Sequence, residues 1–134
     1  MRDMDDWAED WMDQARLTLA SAEEMLAGGL PTKAISNAFL SMVYAARAAL
    51  GGVERDISDL EDVVQLFLTE ALPALGLSKG NQRALTIVGE LYRHVEIVRD
   101  MEADPLTAAA CLSDARGFVT ELESKIGPSD SGLE

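Results

Sequence analysis

The sequence predicts an all-α fold, an antiparallel up-and-down bundle of four long helices plus one short helix. Three observations carry that expectation. Punctuation is sparse, chiefly Gly28-Gly29, Gly51-Gly52, Gly76, Gly80 and Gly127-Pro128. The segments between are rich in Ala, Leu, Met and Glu, all good helix formers. Alternating β-branched runs, the mark of strands, are absent, and apolar residues recur at helical spacing. Five such segments joined by short links stack as antiparallel neighbours. The 134 residues make one domain, and 48% of them are apolar, enough for a core. Order is expected over about residues 5–126, and the polar stretch 127–134 is expected to fray.

The first helix is expected from Asp5 to Ala27, with Trp7, Trp11, Ala15, Ala22 and Leu26 near one face and Leu19 and Met25 beside them. Its early acids favour the helix N-terminus, where the macrodipole is positive. The second helix starts at Pro31, a residue suited to a first turn, and runs to Leu50 before Gly51-Gly52 ends it. Ala34, Ile35, Ala38, Met42, Ala45, Ala46 and Ala49 give it a wide face of small residues that admits another helix closely. The third helix opens on a capping box, Ser58-Asp59-Leu60-Glu61, and covers about Asp59 to Ala71. Its stripe is Leu60, Val63, Val64, Phe67, Leu68 and Ala71; Pro73 is expected to kink or end it, leaving Pro73 to Gly80 as a connection. The fourth helix is expected from Asn81 to about Met101 on a stripe of Ala84, Val88, Leu91, Val95 and Val98, with Tyr92 at the edge. The fifth has Asp104 as N-cap and Pro105 at its first position, with Ala108, Cys111, Leu112, Ala115, Phe118, Val119 and Leu122 inward.

Composition excludes several functions. Eleven Lys and Arg against 24 Asp and Glu leave a net charge of −13 and a pI near 4.3. Such a chain is a poor binder of extended nucleic acid and of anionic membrane surfaces. One cysteine, Cys111, cannot form an internal disulfide, and one histidine, His94, cannot complete a structural zinc site of about four ligands. A di-iron bundle needs two Glu-x-x-His pairs, and the residue three before His94 is Leu91. No metal or cofactor is expected. Cys111, in Ala108-Ala109-Ala110-Cys111-Leu112, reads as a small core residue. The acid-rich start lacks the basic end and apolar centre of a signal peptide, and no apolar stretch approaches ~20 residues, so a cytoplasmic protein is expected.

The polar residues that could carry chemistry gather on the fourth helix: Tyr92, Arg93, His94, Glu96, Arg99 and Asp100. Arginine takes phosphate bidentately, and histidine titrates near neutrality and serves as a base. The same spacing also suits ordinary surface ion pairs, with Glu90 three before Arg93 and four before His94, and Glu96 three after Arg93. Such pairs contribute roughly 0.2–0.5 kcal/mol each, and this plainer reading is the stronger one. Arg47 on the second helix likewise reads as a surface arginine covering alanines.

The order of these residues resembles the HEPN superfamily of small α-helical domains, and most closely its stand-alone prokaryotic branch. The resemblance rests on Trp11-x3-Ala15-x3-Leu19-x2-Ala22, then Gly28, then Ala38-Phe39-Leu40-Ser41-Met42-Val43-Tyr44-Ala45-Ala46-Arg47-Ala48-Ala49-Leu50, and on Ala108-Ala109-x5-Ala115-x2-Phe118-Val119. It spans roughly Trp11 to Leu122. Many members are metal-independent endoribonucleases whose motif is an arginine and a histidine with four to six residues between them, two motifs meeting across a dimer. Here that motif would need arginine at 87, 88 or 89, and those positions hold Ile87, Val88 and Gly89. Arg93 directly precedes His94, which sets the two side chains about 100° apart on a helix. After Leu91-Tyr92-Arg93, the family's usual Ala-Asp-Tyr run is replaced by Glu96-Ile97-Val98. Members without the catalytic pair are often encoded beside a minimal nucleotidyltransferase, in some cases as a toxin–antitoxin pair. The resemblance therefore implies a catalytically silent homodimer partnering a nucleotidyltransferase, with Arg47, Tyr92, Arg93, Glu96 and Asp100 as contact candidates. Small-residue faces on the second and fifth helices suit contact across a two-fold. Two other readings stay open: a divergent ribonuclease built from Arg93, His94 and Arg99, and an acidic helical adaptor with no nucleotide connection.

Overall fold

A computed structural model describes residues 4–50 and 60–126, with side chains from Ala8 onward in the first helix. Helix α1 spans Met4–Ala27, α2 Pro31–Ala49, α3 Leu60–Leu66 and α4 Leu72–Leu75, with a π-helical turn, Phe67–Ala71, joining the last two. Helix α5 spans Lys79–Tyr92 and continues as a π-helical segment, Arg93–Val98; α6 spans Pro105–Ile126. The fold is an all-α bundle of four long helices and one short, broken one, as the sequence predicts. The side chain of Trp7, the Gly51-Gly52 stop, the Ser58 and Asp59 part of the capping box and the 127–134 tail lie outside the described residues.

Helix α2 is the centre of the bundle and packs against α1, α3, α5 and α6. Its buried residues include Ser36, Phe39, Ser41, Val43 and Ala48 besides the small-residue face. A single-stripe reading misses these because it assigns a helix one apolar face, whereas a central helix is covered on nearly all sides. The buried Ser41 hydroxyl is satisfied within its own helix, donating to the Ala38 carbonyl at 2.6 Å. The alanines expected to form a face for a second copy are consumed inside the chain. Ala34, Ala38, Ala45 and Ala46 of α2 and Ala108 and Ala115 of α6 are fully buried.

Helix α1 turns back onto α2 through a Schellman cap. Leu30 N–H bonds Met25 C=O at 2.8 Å, Gly29 N–H bonds Leu26 C=O at 3.1 Å, and Gly29 supplies the positive φ of +82° that this cap requires. Met12, absent from the expected stripe, is buried with Ala15 and Ala22, while Trp11, Leu19, Met25 and Leu26 are half-buried. Helix α6 runs antiparallel to both α1 and α5. Arg16 pairs with Glu123 at 2.5 Å and Arg116 with Glu23, closing the α1 side. On the other side the Glu121 carboxylate accepts from Asn81 Nδ2 at 2.6 Å and from Ser78 N–H at 3.2 Å. The Asn81 bond, then the Ser78 bonds, hold the Glu121 carboxyl below its usual range. Asp104 caps α6, accepting from Thr107 N–H at 2.7 Å, and that bond lowers its carboxyl too. Phe67 and Phe118 meet edge to face at 5.8 Å in the fully buried centre.

Three expected boundaries shift. The third helix passes Pro73 and continues to Leu75, ending at Gly76 with φ +68°. The preceding π turn explains this: Leu72 N–H reaches back five residues to Phe67 C=O, and the widened turn relieves the clash of a proline ring with the carbonyl before it. The fourth helix starts at Lys79 because Ser78 caps it, its hydroxyl accepting from Asn81 N–H at 3.2 Å. It ends at Val98 rather than Met101, and Val98 is 46% exposed instead of inward. A π segment takes more residues per turn than an α-helix, which rotates the end of the expected stripe to the outside.

Two outcomes follow from this packing. Phe118→Ala removes a fully buried ring from the central cluster and should destabilise the fold by about 3–5 kcal/mol, read from denaturant midpoints. Cys111 is 1% exposed, and burial, then the nearby Asp114 charge, push its thiol up to about 11 from 9.0. The unfolded thiol ionises first as pH rises, so this contribution to stability is complete below pH 9.0 and lost on the way to about 11. Cys111→Ser should flatten that part of the pH–stability curve, and the wild-type thiol should react with thiol reagents only as the chain unfolds.

Candidate functional site

The candidate residues sit where α5 meets the first half of α2. Gly89 makes that meeting close: a Cβ built there would lie 3.1 Å from Phe39 Cε1. The Phe39 ring therefore reaches α5 and stacks on Tyr92 with centroids 4.7 Å apart. Tyr92 is half-buried, and its phenol is pushed up first by burial and then by the charge of Glu96. Glu96 turns inward across the helix pair, accepting from Ser36 Oγ at 2.5 Å. The Ser36 hydroxyl, itself buried, also lies 3.3 Å from the Thr32 carbonyl.

The segment then closes on itself. Arg99 adopts a left-handed backbone, φ 61° and ψ 37°, the only positive φ at a non-glycine among the described residues. That conformation costs a non-glycine residue roughly 1–2 kcal/mol, and local bonds offset it. Asp100 N–H donates to His94 C=O at 3.2 Å, and Arg99 Nε donates to Glu96 C=O at 3.3 Å. The Asp100 carboxylate lies 2.9 Å from His94 Nδ1, and Glu90 Oε1 lies 3.7 Å from Nε2. Both ring nitrogens thus face carboxylates.

Tyr92, His94, Glu96, Arg99 and Asp100 are brought together as one bonded segment. Arg93 points to solvent and makes no ion pair with another described residue; the expected Glu90–Arg93 and Arg93–Glu96 pairs do not form, since Glu90 leans to His94 and Glu96 to Ser36. Arg47 lies apart, in the last turn of α2, about 16 Å along the helix from Ser36. Its guanidinium sits 4.8 Å from the Trp11 ring, and Trp11 contacts Tyr44 at 5.7 Å. Ser36 and Phe39 were not among the expected site residues. The legible signal for them was Gly89, an isolated glycine inside a helical pattern, which marks a close approach.

Chemically, the imidazole is flanked by two carboxylates, with Arg93 and Arg99 exposed on the same segment. The positions that would carry a partner arginine hold the half-exposed Ile87, the fully buried Val88 and Gly89 under Phe39. No group of three or more His, Cys, Asp or Glu among the described residues is placed to hold a metal ion. No helix among them is long and apolar enough to cross a membrane.

The family model of the HEPN domain matches residues 8–125, and the chain belongs to that family. The match runs from the start of the described α1 side chains to the end of α6. No curated protein matches the chain.

Glu96→Gln removes the second cause of the Tyr92 shift but not the first. Tyrosinate absorbance in a Tyr44→Phe background should show the phenol moving down toward, yet staying above, its ordinary value of 10.0. The raised phenol contributes stability below that pH which is lost as pH rises through its folded value, and the loss should be smaller in the variant. Ser36→Ala leaves the half-buried carboxylate without its donor and should cost about 1.5–3 kcal/mol in thermal unfolding.

Proposed function

We propose that this HEPN domain is a binding module rather than a ribonuclease, working as a homodimer that partners a nucleotidyltransferase, in the manner of members found in toxin–antitoxin pairs. The observation that carries the silent reading is the surroundings of His94. Carboxylates of Glu90 and Asp100 flank both ring nitrogens. An RNA phosphate meets charge of its own sign there, and an anionic transition state gains no stabilisation. Arg99, a nearby cation, directs its Nε to the Glu96 carbonyl instead. The chain's −13 charge supports the same reading, because it opposes the accumulation of RNA at the surface. Homodimerisation and the nucleotidyltransferase partner rest on the family resemblance, and the location expected with them is cytoplasmic.

Three measurements test this reading together. Purified protein should leave single-stranded RNA uncut, and His94→Ala should change nothing. Light scattering on a sizing column at micromolar concentration should give a dimer. Co-expression with the nucleotidyltransferase of its own neighbourhood should yield a co-purifying complex. RNA cleavage that disappears in His94→Ala would establish the divergent ribonuclease of Arg93, His94 and Arg99 instead. A monomer that binds no nucleotidyltransferase would leave the acidic adaptor.

A further inference from the structure

The end of α5 departs from its own sequence pattern. Ala84, Val88, Leu91, Val95 and Val98 recur at intervals of three and four residues, the pattern of one uninterrupted α-helix. Val98 follows Leu91 by seven residues, so on an α-helix the two share a face, and Leu91 packs against the core. In the structure Arg93–Val98 is π-helical and Val98 faces solvent. Arg99 N–H bonds His94 C=O, five residues back, and Arg99 takes a left-handed backbone that costs a residue with a Cβ. A π turn holds about one residue more than an α turn, so the residues after it are rotated by about 100° from their α positions.

What holds the π register is local. Ser36 Oγ donates to Glu96 at 2.5 Å, and Arg99 Nε donates to Glu96 C=O at 3.3 Å. Asp100 N–H donates to His94 C=O at 3.2 Å, and the Asp100 carboxylate lies 2.9 Å from His94 Nδ1. The left-handed turn also returns Met101 to the core, against which it packs half-buried. The α register offers a different set. Val98 joins the Leu91 face in place of Met101, Arg99 loses its left-handed strain, and Glu96 meets Arg93 at ion-pair spacing. Chain length allows it: a helix running on to Met101 leaves residues 102–104 before α6 begins at Pro105, and links of about 2–8 residues commonly join helices.

We infer that residues 93–101 form a two-register switch, held in the π register by the Ser36–Glu96 bond and released to the α register when that bond is lost. The two registers present different surfaces. In the π register Val98 is outward and Glu96 is turned to Ser36; in the α register Val98 is inward and Glu96 stands beside Arg93. A ligand that touches this stretch binds one register better and so shifts the population. The switch goes beyond the binding-module reading and stands independently of it.

Thiol labelling of the full chain tests it. Val98→Cys places a thiol that is open to solvent in the π register and covered in the α register. Cys111, 1% exposed, reports global unfolding in the same sample. Adding Ser36→Ala should slow the labelling of position 98 by about twofold or more, as the α register fills. Adding Arg99→Gly to that pair should restore the rate, because glycine takes the left-handed backbone without penalty and weakens a continuing α-helix. Labelling that Ser36→Ala leaves unchanged overturns the switch. So does faster labelling, which marks a segment that melts rather than changes register, and so does a slow rate that Arg99→Gly fails to restore. Should Ser36→Ala lose its helical circular dichroism, NMR relaxation dispersion on the wild-type chain decides, since helix register shifts fall in the microsecond-to-millisecond range. Exchange shared by the amides of residues 93–101 and suppressed by Arg99→Gly is expected, and its absence overturns the proposal.

Discussion

The burial of α2 is the constraint on which the rest of the structure depends. Every other long helix packs against it, and it carries no acid and only two cations, Lys33 and Arg47. A helix covered on nearly all sides must be narrow, and its run of alanines from Ala34 to Ala48 makes it so. Small side chains shorten interaxial distances and let α1, α5 and α6 share one core around Phe67, Phe118, Ile35 and Met42. The polar residues that α2 does bury are each answered: Ser41 by its own helix and Ser36 by Glu96.

That packing reaches into the candidate site. Phe39 presses on α5 at Gly89, where a Cβ would lie 3.1 Å from its ring. Tyr92 then stacks on Phe39, Glu96 turns inward to Ser36, and the helix runs on as a π segment until Arg99 stops it with a left-handed backbone. π segments frequently mark functional positions. Here the segment bends His94 into the company of two carboxylates and leaves Arg93 facing outward. Where the family's ribonuclease motif would carry its arginine, this chain holds the exposed Ile87, the buried Val88 and Gly89, and His94 contacts Asp100 within its own segment.

Much of the fold was legible in the sequence. Glycines, prolines and apolar spacing placed five helices within a few residues, because capping and periodicity act locally. The Asp104-Pro105 start of α6 and the Pro31 start of α2 are where those rules put them. The local rules failed where backbone hydrogen bonding changed register. Pro73 did not end its helix, and Val98 did not face the core, because a π turn precedes one and contains the other. Nothing in residue identity alone announces a π turn; it is selected by the contacts on both sides of it.

The site was legible in composition but not in arrangement. The sequence by itself determined that one histidine, with no arginine five to seven residues before it, stands on the fourth helix. It also determined the acidic balance, the all-α bundle and the buried character of Cys111, since these depend on inventory and spacing. Only the tertiary structure decided which charges meet. Glu96 bonds Ser36 from sixty residues away rather than Arg93 three residues before it, because a half-buried carboxylate needs a donor where water is scarce. That choice leaves Arg93 unpaired on the outer face of α5, a consequence of three-dimensional packing that spacing along one helix could not express.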